Sequence, residues 1–213
     1  MHLQLQKKGL RVLGIAESFV RTPPLSRLAG VVMRGDLRID GAALAEITVA
    51  GDDATAGVLE IFQELDRSDV NAVMLNGAVI SWFNIIDLQQ VYEELGLPLV
   101  CLTYEESGGL DRYIQEYFAW PEEKLRLYHR LGEREALTLK TGYQVYARAL
   151  GIDLQEAKAL LNRFTLDGRV PEPLRVARLM ARSALRLEGG GAGCSGQGPR
   201  GRDGEGKELK RKS

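Results

Sequence analysis

The chain has 213 residues, of which 45% are hydrophobic and 27% charged, with a formal net charge of −1. That composition fits a globular protein and excludes a collagen-like chain, a wholly disordered chain or a disulfide scaffold. The charge is uneven: residues 189–213 carry six Lys or Arg against three Asp or Glu, which leaves residues 1–188 at −4. A body at −4 binds polyanions only where its basic residues cluster on one face. No apolar run reaches the roughly 20 residues that span a bilayer. The polar start, with Lys7, Lys8 and Arg11, does not read as a secretory signal. Cys101 sits in an apolar run and Cys194 in a glycine-rich tail, which predicts no disulfide and a reducing, cytoplasmic setting.

Along the chain, Leu10 to Ile15, Ser26 to Met33 and Leu44 to Val49 are short apolar runs separated by turn signals, and they predict three strands in an antiparallel meander. The hydrophobic period then changes. Ala54 to Leu65 places Val58, Ile61, Phe62 and Leu65 on one helical face, with Asp53 suited to cap it. Val70 to Leu75 predicts a buried strand, Ile86 to Leu95 a helix, and Pro98 to Thr103 another strand. Right-handed crossovers make those strands parallel. Asp111 to Phe118 and Glu122 to Leu131 read as helices, and Leu137 to Lys140 with Tyr143 to Ala149 as a hairpin across Thr141-Gly142. Leu154 to Phe164 and Leu174 to Leu187 are the closing helices, the last preceded by Pro171-Glu172-Pro173.

The expected fold is therefore α/β: an antiparallel meander followed by parallel strands, with helices on both faces. This is the strand order of a ribonuclease H-like domain. One domain is expected over residues 1–188, followed by a disordered Gly/Lys/Arg-rich tail over residues 189–213.

Six motifs carry a family resemblance. They are Gly14-Ile15-Ala16-Glu17-Ser18-Phe19, Leu28 to Arg34, Gly51-Asp52-Asp53-Ala54-Thr55, Ile80 to Asp87, Thr103-Tyr104-Glu105-Glu106-Ser107, and Phe164-Thr165 with Gly168 to Arg178. In this order, over roughly residues 9 to 187, the chain resembles the archaeal domain-of-unknown-function 99 family. That family's fold is similar to endonuclease V, a magnesium-dependent enzyme that cuts nucleic acid near deaminated bases. The resemblance implies an endonuclease V-like mixed sheet and a site at the strand ends.

At three positions where endonuclease V carries its acids or their equivalents, this sequence has Ala16 (with Glu17 beside it), Asn76 and Arg178. Phosphodiester cleavage on this fold needs carboxylates that converge on hard divalent cations. The acids that could serve are Glu17, Asp52 and Asp53, with Glu17 and Asp52 as ligands of Mg2+ or Mn2+ if the chain is a nuclease. Each also has a plainer role: Glu17 as an exposed strand-end acid, and Asp53 as a helix cap. Asn84 and Asp87 read as caps of the next helix. Trp82 and Phe83 read as core, or as a stacking surface for bases.

Loss of acids with gain of Arg178 predicts a crevice that prefers an anion to a metal. Asn76, Glu172, Arg175 and Arg178 would line it, the two arginines one helical turn apart. Glu172 could instead pair with Arg175, and Arg178 with Glu17. Two functions follow. The preferred one is a module that binds nucleic acid or a nucleotide without the usual metal-ligand acids. The other is a divergent metal-dependent phosphodiesterase using Glu17 with Asp52 or Asp53. A phosphorylated small molecule is a further possible partner, and no membrane partner is expected.

Overall fold

The computed structural model describes residues 5–20 and 24–189. The tail expected over residues 189–213, and Cys194 within it, lie outside the described residues apart from Gly189. Three antiparallel strands come first: β1 (Arg11–Ser18), β2 (Leu25–Arg34) and β3 (Ile39–Thr48). Helix α1 (Ala54–Leu65) then crosses over to β4 (Ala72–Asn76), which lies parallel to β1. A small antiparallel hairpin, β5 (Val79–Ile80) with β6 (Asn84–Ile85), follows. Helix α2 (Leu88–Leu95) returns the chain to β7 (Leu99–Thr103), parallel to β4. Helices α3 (Asp111–Tyr117) and α4 (Glu122–Arg130) lead to β8 (Glu135–Thr138) and β9 (Gln144–Leu150). Helices α5 (Leu154–Phe164) and α6 (Glu172–Gly189) close the described chain.

The principal sheet has seven strands in the order β3-β2-β1-β4-β7-β9-β8. The expected mixed sheet is therefore present, with one addition: the β8–β9 hairpin joins it at the far edge, β9 antiparallel to β7. A hairpin is legible from its turn, but its docking partner is not, because strand pairing at long separation leaves no local signal.

Alternation along the strands explains the layers. Leu13, Ile15, Leu28, Val73, Leu75, Leu99 and Cys101 point to the face covered by α1 and α2. Val12, Met33, Ala72, Met74, Val100 and Leu102 point to the other face, where Leu160, Leu161 and Phe164 of α5 and Leu174 of α6 meet them. Every one of these side chains is essentially out of water, so each Val, Leu, Ile, Met and Phe among them contributes about 1.5–3 kcal/mol of burial. Gly14 lets α6 come close to the sheet: a Cβ there would lie 2.6 Å from the Pro173 backbone carbon. That contact sets the start of α6 against the middle of β1, so the helix runs past the end of the strand carrying Glu17. No helix among the described residues is long and apolar enough to cross a membrane.

Candidate functional site: a crevice at the strand ends

Parallel strands β1, β4 and β7 end at the same rim, where this architecture leaves a crevice. A cavity of about 370 Å³ opens there, lined by Glu17, Asn76, Thr103, Tyr104, Arg169 and Arg178 among others. Glu17 is the penultimate residue of β1, Asn76 ends β4, and Tyr104 follows β7. Arg169 comes from the turn before α6, and Arg178 from the second turn of that helix. Glu17, Asn76 and Arg178 are therefore brought together, whereas Glu172 and Arg175, expected to line the same crevice, are not among its lining residues.

Glu17 reaches the crevice from the α1–α2 side. The β1–β2 register runs without a bulge from Arg11↔Arg34 to Ser18↔Arg27, so Ala16 faces Ala177 of α6 and Glu17 faces away from it. Both carboxylate oxygens are engaged: the Ser81 N–H donates to Oε1 at 3.2 Å and the Ser26 hydroxyl to Oε2 at 3.1 Å. Burial pushes the carboxyl above its ordinary value, against the lowering pull of those two bonds and of the Arg178 charge. Glu17 is thus no exposed strand-end acid. The suggested Glu17–Arg178 ion pair does not form: Arg178 makes no hydrogen bond or ion pair among the described residues and acts on Glu17 only at longer range.

The hairpin between β4 and α2 holds Glu17 in place. Ser81, Trp82 and Phe83 at its tip all have left-handed backbones, with φ of 44°, 60° and 67°. Each costs on the order of 1 kcal/mol for a side chain with a Cβ, so the turn persists because its surroundings over-determine it. The Ala50 N–H donates to the Ser81 carbonyl at 2.8 Å, and Lys124 Nζ to the Phe83 carbonyl at 3.1 Å. The Trp82, Phe83, Tyr117 and Phe118 rings pack edge-on or tilted, with centroids 5.2–5.8 Å apart. Trp82 and Phe83 are therefore half-buried members of an aromatic cluster that anchors the turn.

Asp52 and Asp53 lie elsewhere, at the head of α1. Asp52 is paired with Lys124 Nζ at 2.5 Å, and that ammonium, itself 8% exposed, also donates to the Gly51 carbonyl at 2.8 Å. Asp53 does not cap α1 with its side chain. It accepts instead from Thr48, from the backbone N–H at 3.0 Å and the hydroxyl at 2.7 Å, and from the Asn84 amide at 2.6 Å. Burial would raise its carboxyl, but these bonds together hold it below the ordinary Asp value. The cap comes from across the fold: Asn84 Oδ1 accepts the Ala54 N–H at 2.9 Å. Asn84 therefore caps α1 and not the helix that follows it, whereas Asp87 does cap α2 through the Gln90 N–H. Neither Asp52 nor Asp53 lines the crevice.

On α6, Glu172 is 5% exposed and grips Arg175, accepting from its Nε at 2.9 and 3.1 Å. The local pairing is the one realised, so Arg175 is committed while Arg178 is not. Two crevice residues escaped the sequence reading. Arg169 donates to the Tyr104 carbonyl at 2.7 Å and to Glu105 Oε1 at 2.9 Å, and its guanidinium lies 5.6 Å from the centre of the Tyr104 ring. Tyr104 carries a buried hydroxyl with no hydrogen-bond partner among the described residues, and Ser81 Oγ is in the same state. Their motifs were visible, and the available signal was position: a residue just past a parallel strand faces the crevice.

Among the described residues, no three of His, Cys, Asp or Glu converge to hold a metal ion. The crevice supplies two carboxyls: Glu17, engaged at both oxygens by Ser26 and Ser81 and raised above its ordinary value by burial, and Glu105, paired with Arg169. That donor set does not fit a pair of hard divalent cations, which need several ionised oxygen ligands. It fits an anion better, through an unpaired guanidinium and neutral polar groups.

Comparison with known proteins agrees with the fold. UPF0215 proteins are similar along most of the chain: that of Pyrobaculum calidifontis is 35% identical over 170 residues, covering 79% of this chain and 93% of its own. That of Methanosarcina barkeri is 29% identical over 188 residues, covering 87% and 95%. Among solved structures, a protein of unknown function from Archaeoglobus fulgidus superposes with a TM-score of 0.71 at 25% identity, covering 82% of this chain and 98% of its own. Endonuclease V from Streptomyces avermitilis gives 0.60 at 18% identity, covering 85% and 84%. Endonuclease V from Ciona intestinalis, solved with DNA containing an inosine, gives 0.56 at 14% identity, covering 85% and 88%. These last two establish the ribonuclease H-like fold. Residues 8–185 match the family described as Endonuclease dU. The chain belongs to that family, an archaeal group with the endonuclease V fold, as its six motifs imply.

Proposed function

We propose that the chain binds nucleic acid in the crevice at the ends of β1, β4 and β7, holding a backbone phosphate with Arg178 beside Asn76. One observation carries this reading: Arg178 lines the cavity with no partner among the described residues, while the acids beside it are engaged, Glu17 by Ser26 and Ser81 and Glu105 by Arg169. A charge-assisted contact to phosphate is the strongest bond such a group can make. A DNA-bound endonuclease V of the same fold and the family's description both favour nucleic acid over a small phosphorylated molecule.

The test is a fluorescence-anisotropy titration of a labelled single-stranded oligodeoxynucleotide containing one deoxyuridine, with chelator present. Saturable binding is expected, weakened about tenfold or more in Arg178→Ala, as for the loss of a hydrogen bond to a charged group. Arg175→Lys, which keeps a cation beside the buried Glu172, should bind within about twofold of the parent, because that charge is committed to Glu172. Equal binding by the parent and Arg178→Ala would refute the reading.

A second reading, cleavage of deoxyuridine-containing DNA, is favoured by the family's description. It requires Glu17 to exchange its serine bonds for a metal, and Asp52 or Asp53 to leave their present partners. Strand scission that depends on a divalent ion and disappears in Glu17→Gln would establish it in place of the first.

A further inference from the structure

Resting on the crevice as a phosphate site, we propose that the Tyr104 hydroxyl is a second anchor for the bound strand, donating to a non-bridging oxygen of the phosphate that Arg178 holds. Tyr104 lines the same cavity as Arg178, and its ring is clamped by Arg169, which bonds the Tyr104 carbonyl and lies against the ring face. The ring is thus fixed, yet its hydroxyl has no hydrogen-bond partner. A hydroxyl stripped of water and left unpaired destabilises the free protein. A fixed tyrosine with that defect, beside an unpaired guanidinium, is the arrangement expected where the missing acceptor arrives with a ligand. Ser81 Oγ shares the defect but does not line the cavity, so Tyr104 is the residue in position.

Burial raises the Tyr104 phenol above its ordinary value, so it stays protonated and can donate. An acceptor-rich, anionic ligand group suits a guanidinium, which only donates, beside a phenol whose proton is free to donate, and a phosphodiester has that character. The hydroxyl has no open path to water in the free protein, so the ligand reaches it as the crevice side chains yield. Arg178 has no hydrogen bond or ion pair among the described residues to hold it in place.

The test is Tyr104→Phe, which removes one oxygen and nothing else, measured on the full chain in two ways. A hydroxyl kept for a ligand predicts opposite signs: melting temperature unchanged or raised, and affinity for the deoxyuridine oligonucleotide weakened about fivefold or more, as for a lost hydrogen bond to a charged acceptor. Parent-like affinity in Tyr104→Phe, with Arg178→Ala weakened, would overturn the anchor and leave the crevice reading intact. A fall of several degrees in melting temperature would also overturn it, because the hydroxyl would then be serving the free fold. No binding by the parent, or no effect of Arg178→Ala, would remove both proposals. Inorganic phosphate, titrated as competitor, separates the sources: weak competition is expected for a site built around a strand, and full displacement at equal concentration would assign the site to free phosphate and overturn the anchoring of a strand.

Discussion

Two groups of acids, both expected at a metal centre, end in opposite circumstances. At the end of β1, Glu17 is half-buried with its carboxyl pushed upward by that burial, near Arg178, which has no partner among the described residues. At the head of α1, Asp53 is held low by Thr48 and Asn84, and Asp52 is locked onto a buried lysine. The first group sits where a ligand can reach. The second is the knot that ties β3, the left-handed hairpin and α4 together. Acid residues at matching places in a fold are therefore not equivalent: their partners decide whether they are available for chemistry or spent on structure.

The contrast can be broken most forcefully at the contact that positions the crevice. Gly14→Val would drive a side chain into the Pro173 backbone. A cost of about 3 kcal/mol, the upper range for overpacking, is expected in denaturant unfolding, and oligonucleotide binding should fall with it. Next is the knot. Asn84→Ala removes the bonds to Ala54, Asp53 and the Thr48 carbonyl at once. It should cost about 2 kcal/mol by leaving buried groups unpaired. Asp53→Asn keeps the shape but loses the charge that Thr48 and Asn84 favour, and a smaller loss is expected.

The two acids also predict opposite pH behaviour. Asp53 is lowered on folding, so its contribution is complete above the ordinary value of 3.8 and is lost as pH falls through its lowered value. Glu17 is raised on folding, so its contribution is complete below the ordinary value of 4.5 and is lost as pH rises through its raised value. Glu17→Gln, whose amide can still accept from Ser81, should therefore gain stability relative to the parent as pH rises from 4.5 towards neutrality. Thermal melts across that range would show it, and a variant that loses stability there would mean that the folded chain favours the ionised carboxylate.

Much of the scaffold was legible locally. The bounds of α1 and α5 follow from helical spacing alone, and the turn of Glu17 away from α6 follows from strand alternation past Ala16. The Glu172–Arg175 pair follows from spacing on one helix. Long-range bonds were not legible. Asn84 reaches back to Ala54, and Lys124 to Asp52, across 30 and 72 residues. Three consecutive left-handed residues without a glycine contradict local preference, and only the tertiary bonds around Ser81 to Phe83 explain them. Tyr104 stood in a quoted motif, but its unpaired hydroxyl is a property of packing that no spacing reveals.

The most direct test of the claim that the crevice is built for an anion and not for a metal is calorimetric titration of the full chain with Mg2+ and then Mn2+, repeated on Glu17→Gln. No saturable heat at millimolar metal is expected from either protein, because both crevice carboxyls are already engaged, Glu17 by Ser26 and Ser81 and Glu105 by Arg169. Saturable binding by the parent that Glu17→Gln abolishes would contradict the claim and make Glu17 a metal ligand.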